Sequence, residues 1–273
     1  MHAMSTTSST HRAIDAVWRI ESARVIAGLA RMLRDLDLAE ELAQDALVAA
    51  LETWPRDGVP DNPGAWLMTT AKRRAIDRLR RLQLLDRKHE ELARELEDIQ
   101  DERRSRDEDA LDHDIDDDLL RLVFVSCHPV LSMDARVALT LRLLCGLTTD
   151  EIARAFLAAE PTVAQRIVRA KRTLAEADVA FEVPRGDALQ ERLASVLGVV
   201  YLVFNEGYAA TSGDDWVRPA LCEEALRLGR MLAALTPREP EVHGLVALME
   251  IQASRLHARV GKDGEAVLLL DQD

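Results

Sequence analysis

The segment Trp66–Leu82, WLMTTAKRRAIDRLRRL, gathers side chains suited to holding a polyanion. Wound at about 100° per residue it separates into two halves. Leu67, Met68, Ala71, Ala75, Ile76, Leu79 and Leu82 share one half. Trp66, Thr69, Thr70, Arg73, Arg74, Asp77, Arg80 and Arg81 share the other, with Lys72 and Arg78 on the flanks. A solvated helix face ordinarily mixes both signs of charge, and this one carries a single acid. In a chain of 273 residues with a formal net charge of −13, basicity this dense points to a phosphate backbone as partner.

A second cationic face lies between Thr162 and Ala175. Val163, Ile167, Ala170 and Leu174 fall inward, while Thr162, Gln165, Arg166, Arg169, Arg172 and Thr173 fall outward. Those outward types can bond base edges and phosphates in a major groove. A short helix precedes it, capped by Thr148 or Thr149 with Asp150 and Glu151 in its first turn, and ends near Ala158. A tight turn follows around Ala159–Glu160, and Pro161 suits the first turn of the basic helix. Two short helices with a basic second member describe a helix-turn-helix.

A third face is acidic. Asp37 is the expected N-cap of a helix over Leu38–Trp54, with Glu40 completing a capping box and Pro55 ending the helix. Leu38, Leu42, Ala46 and Ala49 point inward; Glu40, Glu41, Gln44 and Asp45 share an outer face.

The elements that must hold these faces are all helical. Ala, Leu and Arg dominate, aromatic residues make up only 4 %, and no sustained alternating strand pattern occurs. The polar start, residues 1–11, is expected to be a disordered tail. From Arg12, the stripe Ile14, Val17, Trp18, Ala23, Ile26, Ala27, Ala30 and Leu33 predicts a helix. A first domain is therefore expected over 12–99. Between Asp86 and Asp118 stand sixteen acids against six bases, most of the chain's net charge. Apolar residues nearly vanish from Gln100 to Asp118, so 100–118 is expected to be a flexible acidic linker. A second domain, 119–183, holds the helix-turn-helix. Pro184–Asp187 marks a boundary, and 187–273 reads as a C-terminal helical-hairpin domain whose last apolar run, Leu268–Leu270, suggests an array cut short. The fold class is all-α: two small helical DNA-binding domains plus the C-terminal domain.

Other chemistry is weakly represented. Cys127, Cys145 and Cys222 stand far apart with no CxxC pair, which argues against a disulfide framework or a structural zinc site and fits a reducing cytosol. No run reaches the roughly 18 apolar residues of a membrane span. His113 among Asp112, Asp114 and Asp116, and the adjacent Cys127–His128, match no recognised ligand pattern, and neither a Walker A motif nor a dinucleotide glycine fingerprint occurs. No catalytic residue, metal or cofactor is assigned. Asn205–Glu206–Gly207–Tyr208 reads as a helix end with Gly207 in the left-handed conformation.

DLDLAEELAQDALVAALETW followed by NPGAWLMTTAKRRAIDRLRR resembles region 2 of bacterial sigma factors of the extracytoplasmic-function (ECF) type. LTTDEIARAFLAAEPTVAQRIVRAKRTL resembles their region 4, and VVYLVFNEGYAA is similar to the C-terminal, tetratricopeptide-like extension of a subgroup. The resemblance implies a cytoplasmic partner of the β and β′ subunits of RNA polymerase core. Asp37, Glu40, Glu41, Gln44 and Asp45 would meet the β′ clamp helices. Trp66, Thr70, Arg73, Arg74, Asp77, Arg78 and Arg81 would bind the −10 element of promoter DNA, where melted bases are captured by stacking and pocketing. Thr162, Gln165, Arg166, Arg169, Arg172 and Thr173 would enter the −35 major groove. The family often has Asn where this chain has Arg73, which bears on the base read there. Trp66 has two readings, a stacking surface for a base or a ring packed on the Pro63 loop. The C-terminal domain could regulate the factor intramolecularly, and the acidic linker could shield the basic helices as a DNA mimic. The alternative is a helix-turn-helix regulator with a C-terminal sensor domain, which leaves the acidic and basic N-terminal helices without a purpose.

Overall fold

The computed structural model describes residues 2–85, 108–209, 217–259 and 267, with side chains over 10–81, 117–209, 217–256, 258–259 and 267. All regular elements among these residues are helices. The chain divides into two compact units, Met1–Leu122 and Val123–Asp273.

In the first unit three helices pack on one another: α1 (His2–Leu33), α2 (Leu36–Asp57) and α3 (Pro63–Leu85). Helix α1 begins at His2, so the expected tail is its first turns. Neither glycine nor proline occurs between His2 and Ala27, and nothing stops a helix anchored by buried Ile14, Ala23, Ile26 and Ala27 from extending backward. Gly28 lets α3 come close: a Cβ there would lie 3.0 Å from the Met68 methyl. The chain breaks at Arg34, which has a left-handed backbone (φ 53°).

Asp35, not Asp37, caps α2. Its carboxylate accepts from the Asp37 and Leu38 amides at 2.9 and 3.0 Å. Moving the cap two residues back puts Asp37 in the first turn and leaves the expected Glu40 box unformed. Pro55 does not end α2 either. The helix runs on to Asp57 and stops at Gly58 (φ 87°), whose N–H donates to Trp54 O at 3.0 Å. A proline one turn from the end removes a single donor, and only Gly58 supplies the backbone turn that terminates the helix.

Helix α4 (Glu108–Ser126) runs from the first unit into the second. Its start overlaps the expected linker, so 108–118 is helical; residues 86–107 lie outside the described ones. Asp118 is buried, 3 % exposed at its side chain, and pairs with Arg31 of α1 at 3.0 Å and with Arg121 at 2.5 Å. The acids are carried into a helix by the apolar run that follows, Leu119 to Val125, most of it buried.

The second unit contains α5 (Met133–Leu143), α6 (Thr149–Ala155), α7 (Glu160–Glu176), α8 (Asp187–Tyr208), α9 (Pro219–Leu235), α10 (Pro240–Ala253) and a 3-10 turn, His257–Arg259. Ser132 caps α5. Helices α8, α9 and α10 pack in sequence around Leu193, Val196, Val200, Cys222, Leu228 and Met249. Gly207 lies inside α8 rather than in a left-handed cap: α9 passes so close that a Cβ would stand 2.7 Å from Cys222 N. The segment containing Leu268–Leu270 and the expected helix start at Trp216 lie outside the described residues.

The expected boundary at Pro184–Asp187 is a bend within this unit. Helix α8 packs on α5, and three arginines of the extension hydrogen-bond carbonyls of the preceding helices. Arg192 donates to Phe124 O in α4 at 2.8 Å, and Arg227 to Leu144 O beyond α5 at 2.7 Å. Arg218, just before α9, donates to Ala155 O at the end of α6. Ser195 Oγ adds a bond to Cys127 O and accepts one from Arg136. The extension and the helix-turn-helix are therefore one packed body, because side chains from α8 and α9 take up carbonyls that helix ends leave without intrahelical partners.

Candidate nucleic-acid interface

The first basic face stands on α3. Asn62 Oδ1 accepts from Ala65 N at 3.0 Å and caps the helix. Leu67, Ala71 and Ala75, spaced by four, are buried against α1 and α2. The opposite face is open: Thr69, Arg73, Asp77, Arg78, Arg80 and Arg81 are exposed, and Trp66, Thr70 and Arg74 are half-buried. Among the described residues, Arg73, Arg78, Arg80 and Arg81 form no ion pair. Arg74 is tied to Asp45 of α2 at 3.4 Å. That pair joins the expected polymerase-facing helix to the expected DNA-facing one.

Trp66 does something neither reading anticipated. Its ring meets Trp54 edge to face, with centroids 5.4 Å apart and planes at 70°. Trp54 is fully inside, 2 % exposed, at the end of α2. The contact exists because α2 and α3 are antiparallel neighbours joined by a short loop, which brings the end of one beside the start of the other. Trp54 carried no sequence signal beyond its place at the edge of an apolar stripe.

The acidic face of α2 is narrower than the wheel suggested. Asp37 and Glu41 are exposed, Gln44 and Asp45 half-buried, and Glu40 is 7 % exposed and accepts from Gln44 Nε2 at 3.0 Å. The buried arc is Ala39, Glu40, Leu42, Ala43, Ala46, Ala50 and Trp54, rotated from the expected one, and it takes Glu40 off the outer surface.

The second basic face stands on α7. Thr148 caps α6 and forms a reciprocal box with Glu151, whose carboxylate accepts from Thr148 N at 2.8 Å. Helix α6 ends at Ala155, three residues before the expected Ala158, and Leu157 takes a left-handed backbone (φ 47°) in the turn. Pro161 lies in the first turn of α7. Val163, Ile167, Ala170 and Leu174 are buried as the periodicity required, and Lys171 joins them. Thr162, Gln165, Arg169 and Arg172 are exposed; Arg166 and Thr173 are half-buried. Arg166 pairs with Asp134 at 3.3 Å and Arg172 with Glu176 at 2.6 Å. Arg169 forms no ion pair among the described residues.

The polar features outside these faces are structural. Cys127 is buried, shares a hydrogen bond with Thr140 at 3.3 Å, and burial pushes its thiol up to about 11, far from a reactive thiolate. His128 Nδ1 accepts from Val130 N in the turn after α4, and burial lowers its pKa. The side chains of Asp112, His113, Asp114 and Asp116 lie outside the described ones. Among the described residues no three His, Cys, Asp or Glu side chains converge as metal ligands, and no helix is long and apolar enough to cross a membrane.

Residues 19–84 match the family model of sigma-70 region 2, and residues 121–174 that of sigma-70 region 4. The first match covers the second half of α1, all of α2 and nearly all of α3; the second covers α5, α6 and nearly all of α7. Residues 192–273 match a family of unknown function, DUF6596. An uncharacterized protein of Rhizobium meliloti (strain 1021) is 45 % identical over 251 residues, 92 % of this chain. The chain spans 59 % of that relative's length. No solved structure matches the chain. The two sigma-70 matches stand in the order region 2, region 4, and each contains a helix with an exposed basic face.

Proposed function

We propose that this protein is a cytoplasmic sigma factor that binds RNA polymerase core and directs promoter-specific initiation, with no catalytic role of its own. The observation that carries the reading is the pair of separate cationic helices, α3 and α7, each standing within a sigma-70 region. Helix α3 engages the −10 element as melted strand. Its exposed arginines hold the backbone, and the exposed part of Trp66, steadied from inside by Trp54, lies beside Thr70 and Arg73 for contact with bases. Arg73 stands where the family often has Asn, so a charged, five-donor fork replaces an amide there. Helix α7 reads the −35 major groove through Gln165, Arg169 and Arg172, with Thr162, Arg166 and Thr173 at the margins.

Asp37, Glu41, Gln44 and Asp45 form the surface offered to the β′ subunit; Glu40 acts from beneath by holding Gln44. The extension regulates the factor through its attachment to the helix-turn-helix. In vitro transcription with core polymerase and start-site mapping tests the whole reading. Specific initiation that depends on two upstream elements is expected. DNA binding without co-purification of core polymerase would instead make the chain a conventional helix-turn-helix regulator.

A further inference from the structure

Arg218 belongs to the C-terminal extension, yet its guanidinium reaches the helix-turn-helix. Nη1 donates both to Ala155 O, the last carbonyl of α6, and to the carboxylate of Glu206 on α8. The Glu206 side chain is buried, 8 % exposed, and that of Arg218 is largely covered, 12 % exposed. The backbone explains why a donor is needed there. In the last turn of α6, Ile152 O accepts from Phe156 N at 3.1 Å, Ala153 O from Ala158 N at 2.9 Å, and Arg154 O from Leu157 N at 3.4 Å. The turn satisfies those three carbonyls itself, and Ala155 O is taken by Arg218.

The turn also carries conformational strain. Helix-turn-helix turns often contain glycine; here Phe156–Ala159 has none, and Leu157, 55 % exposed, adopts φ 47°. The space between α5, α6, α7 and α8 is not filled by side chains. A cleft of about 310 Å³ lies there, with Phe156, Val163, Leu202 and Glu206 among its walls. Packing therefore does little to hold this side of the turn, and a directional bond does more.

We propose that Arg218 is a positioning residue for promoter reading: the extension, through Arg218 held by Glu206, fixes the end of α6 and so aims the recognition helix α7. The role of α7 rests on the sigma-factor reading; the fixing of the turn does not. A charged donor suits the task, since it bonds the negative end of α6 and is neutralised by a buried carboxylate at the same time.

The test uses the full chain with R218M, R218K, and the double variant R218M/E206Q, which removes the carboxylate that R218M alone would strand. Hydrogen exchange over residues 153–163 should accelerate about tenfold in R218M and in the double variant, with R218K between them and wild type. R227M, which removes the donor to Leu144 O, should leave that segment unchanged and loosen the end of α5 instead. With core polymerase, on the promoter mapped for wild type, the preference for the native over a substituted −35 element should fall about tenfold. Initiation on a pre-melted template lacking a −35 element should hold. Unchanged exchange over 153–163 in a folded R218M or R218M/E206Q chain overturns the inference. Altered exchange with an unaltered −35 preference overturns its promoter-reading half. A wild-type chain inactive with core polymerase defeats the sigma-factor reading, while the exchange measurement still decides whether Arg218 fixes the turn.

Discussion

Helices α3 and α7 carry the two cationic faces, and they are supported differently. Helix α3 presents Arg73, Arg78, Arg80 and Arg81 with no ion pair among the described residues, over a core of alanines, Leu67 and the Trp54–Trp66 contact. Helix α7 presents fewer cations, and two of them, Arg166 and Arg172, are tied to Asp134 and Glu176. Untied arginines suit a flexible strand, whose phosphates have no fixed spacing to match. Tied arginines give up part of their charge for orientation, which suits the rigid register of a groove. Both helices rest on buried apolar residues, but in the second unit hydrogen bonds from the extension's arginines also hold the ends of α4, α5 and α6.

The largest effect is expected at Trp54, beneath α3. Trp54→Ala should cost about 3–5 kcal/mol in denaturant unfolding of the first unit, because it empties a fully buried site beneath Trp66. A loss under ~1 kcal/mol would show that the tryptophan pair does not carry α3. Next, the triple variant Arg73→Ala, Arg78→Ala, Arg81→Ala should lower the salt dependence of single-strand binding by about two in the log–log slope. An unchanged slope would mean those arginines meet no phosphate. On α7, Arg169→Ala should relax discrimination at one position of the upstream duplex by about 1–3 kcal/mol, read by competition binding. Arg172→Ala should do less, since Glu176 already holds that side chain. The smallest effect is expected at the pair joining α2 and α3. Asp45→Asn should change stability by less than ~1 kcal/mol, since both partners are nearly half exposed. It should also tighten single-strand binding slightly by releasing Arg74. Throughout, Cys127 in the second unit serves as a control. With its thiol at about 11, only roughly one part in a thousand is thiolate at pH 8, so native alkylation should stay slow in every α3 variant.

Much of this was legible in the residues. The period of Leu67, Ala71 and Ala75 placed the cationic face of α3 on the outside, and Val163, Ile167, Ala170 and Leu174 did the same for α7. Thr148 and Glu151 announced the start of α6. Local signals of this kind act within one or two turns, so they survive without a fold around them. Helix ends misled where several residues could cap. Asp35 and Asp37 are the same chemistry two positions apart, and only the packing of α1 on α2, with Arg34 bent left-handed, selected Asp35. Glu40 looked solvent-facing because a wheel assumes one buried arc, whereas α2 is covered by both α1 and α3.

The sequence by itself determined an all-helical chain with two amphipathic cationic helices, one of them in a helix-turn-helix. Periodicity, caps and composition are enough for that. Tertiary structure alone decided which aromatic ring backs Trp66, which acids are shared with arginines, and that the extension belongs to the same packed body as the helix-turn-helix. The physical reason is range. Arg218 meets Ala155 across 63 residues, and Arg227 meets Leu144 across 83. An arginine far along the chain carries no mark of which helix end it will satisfy until the helices between them have packed.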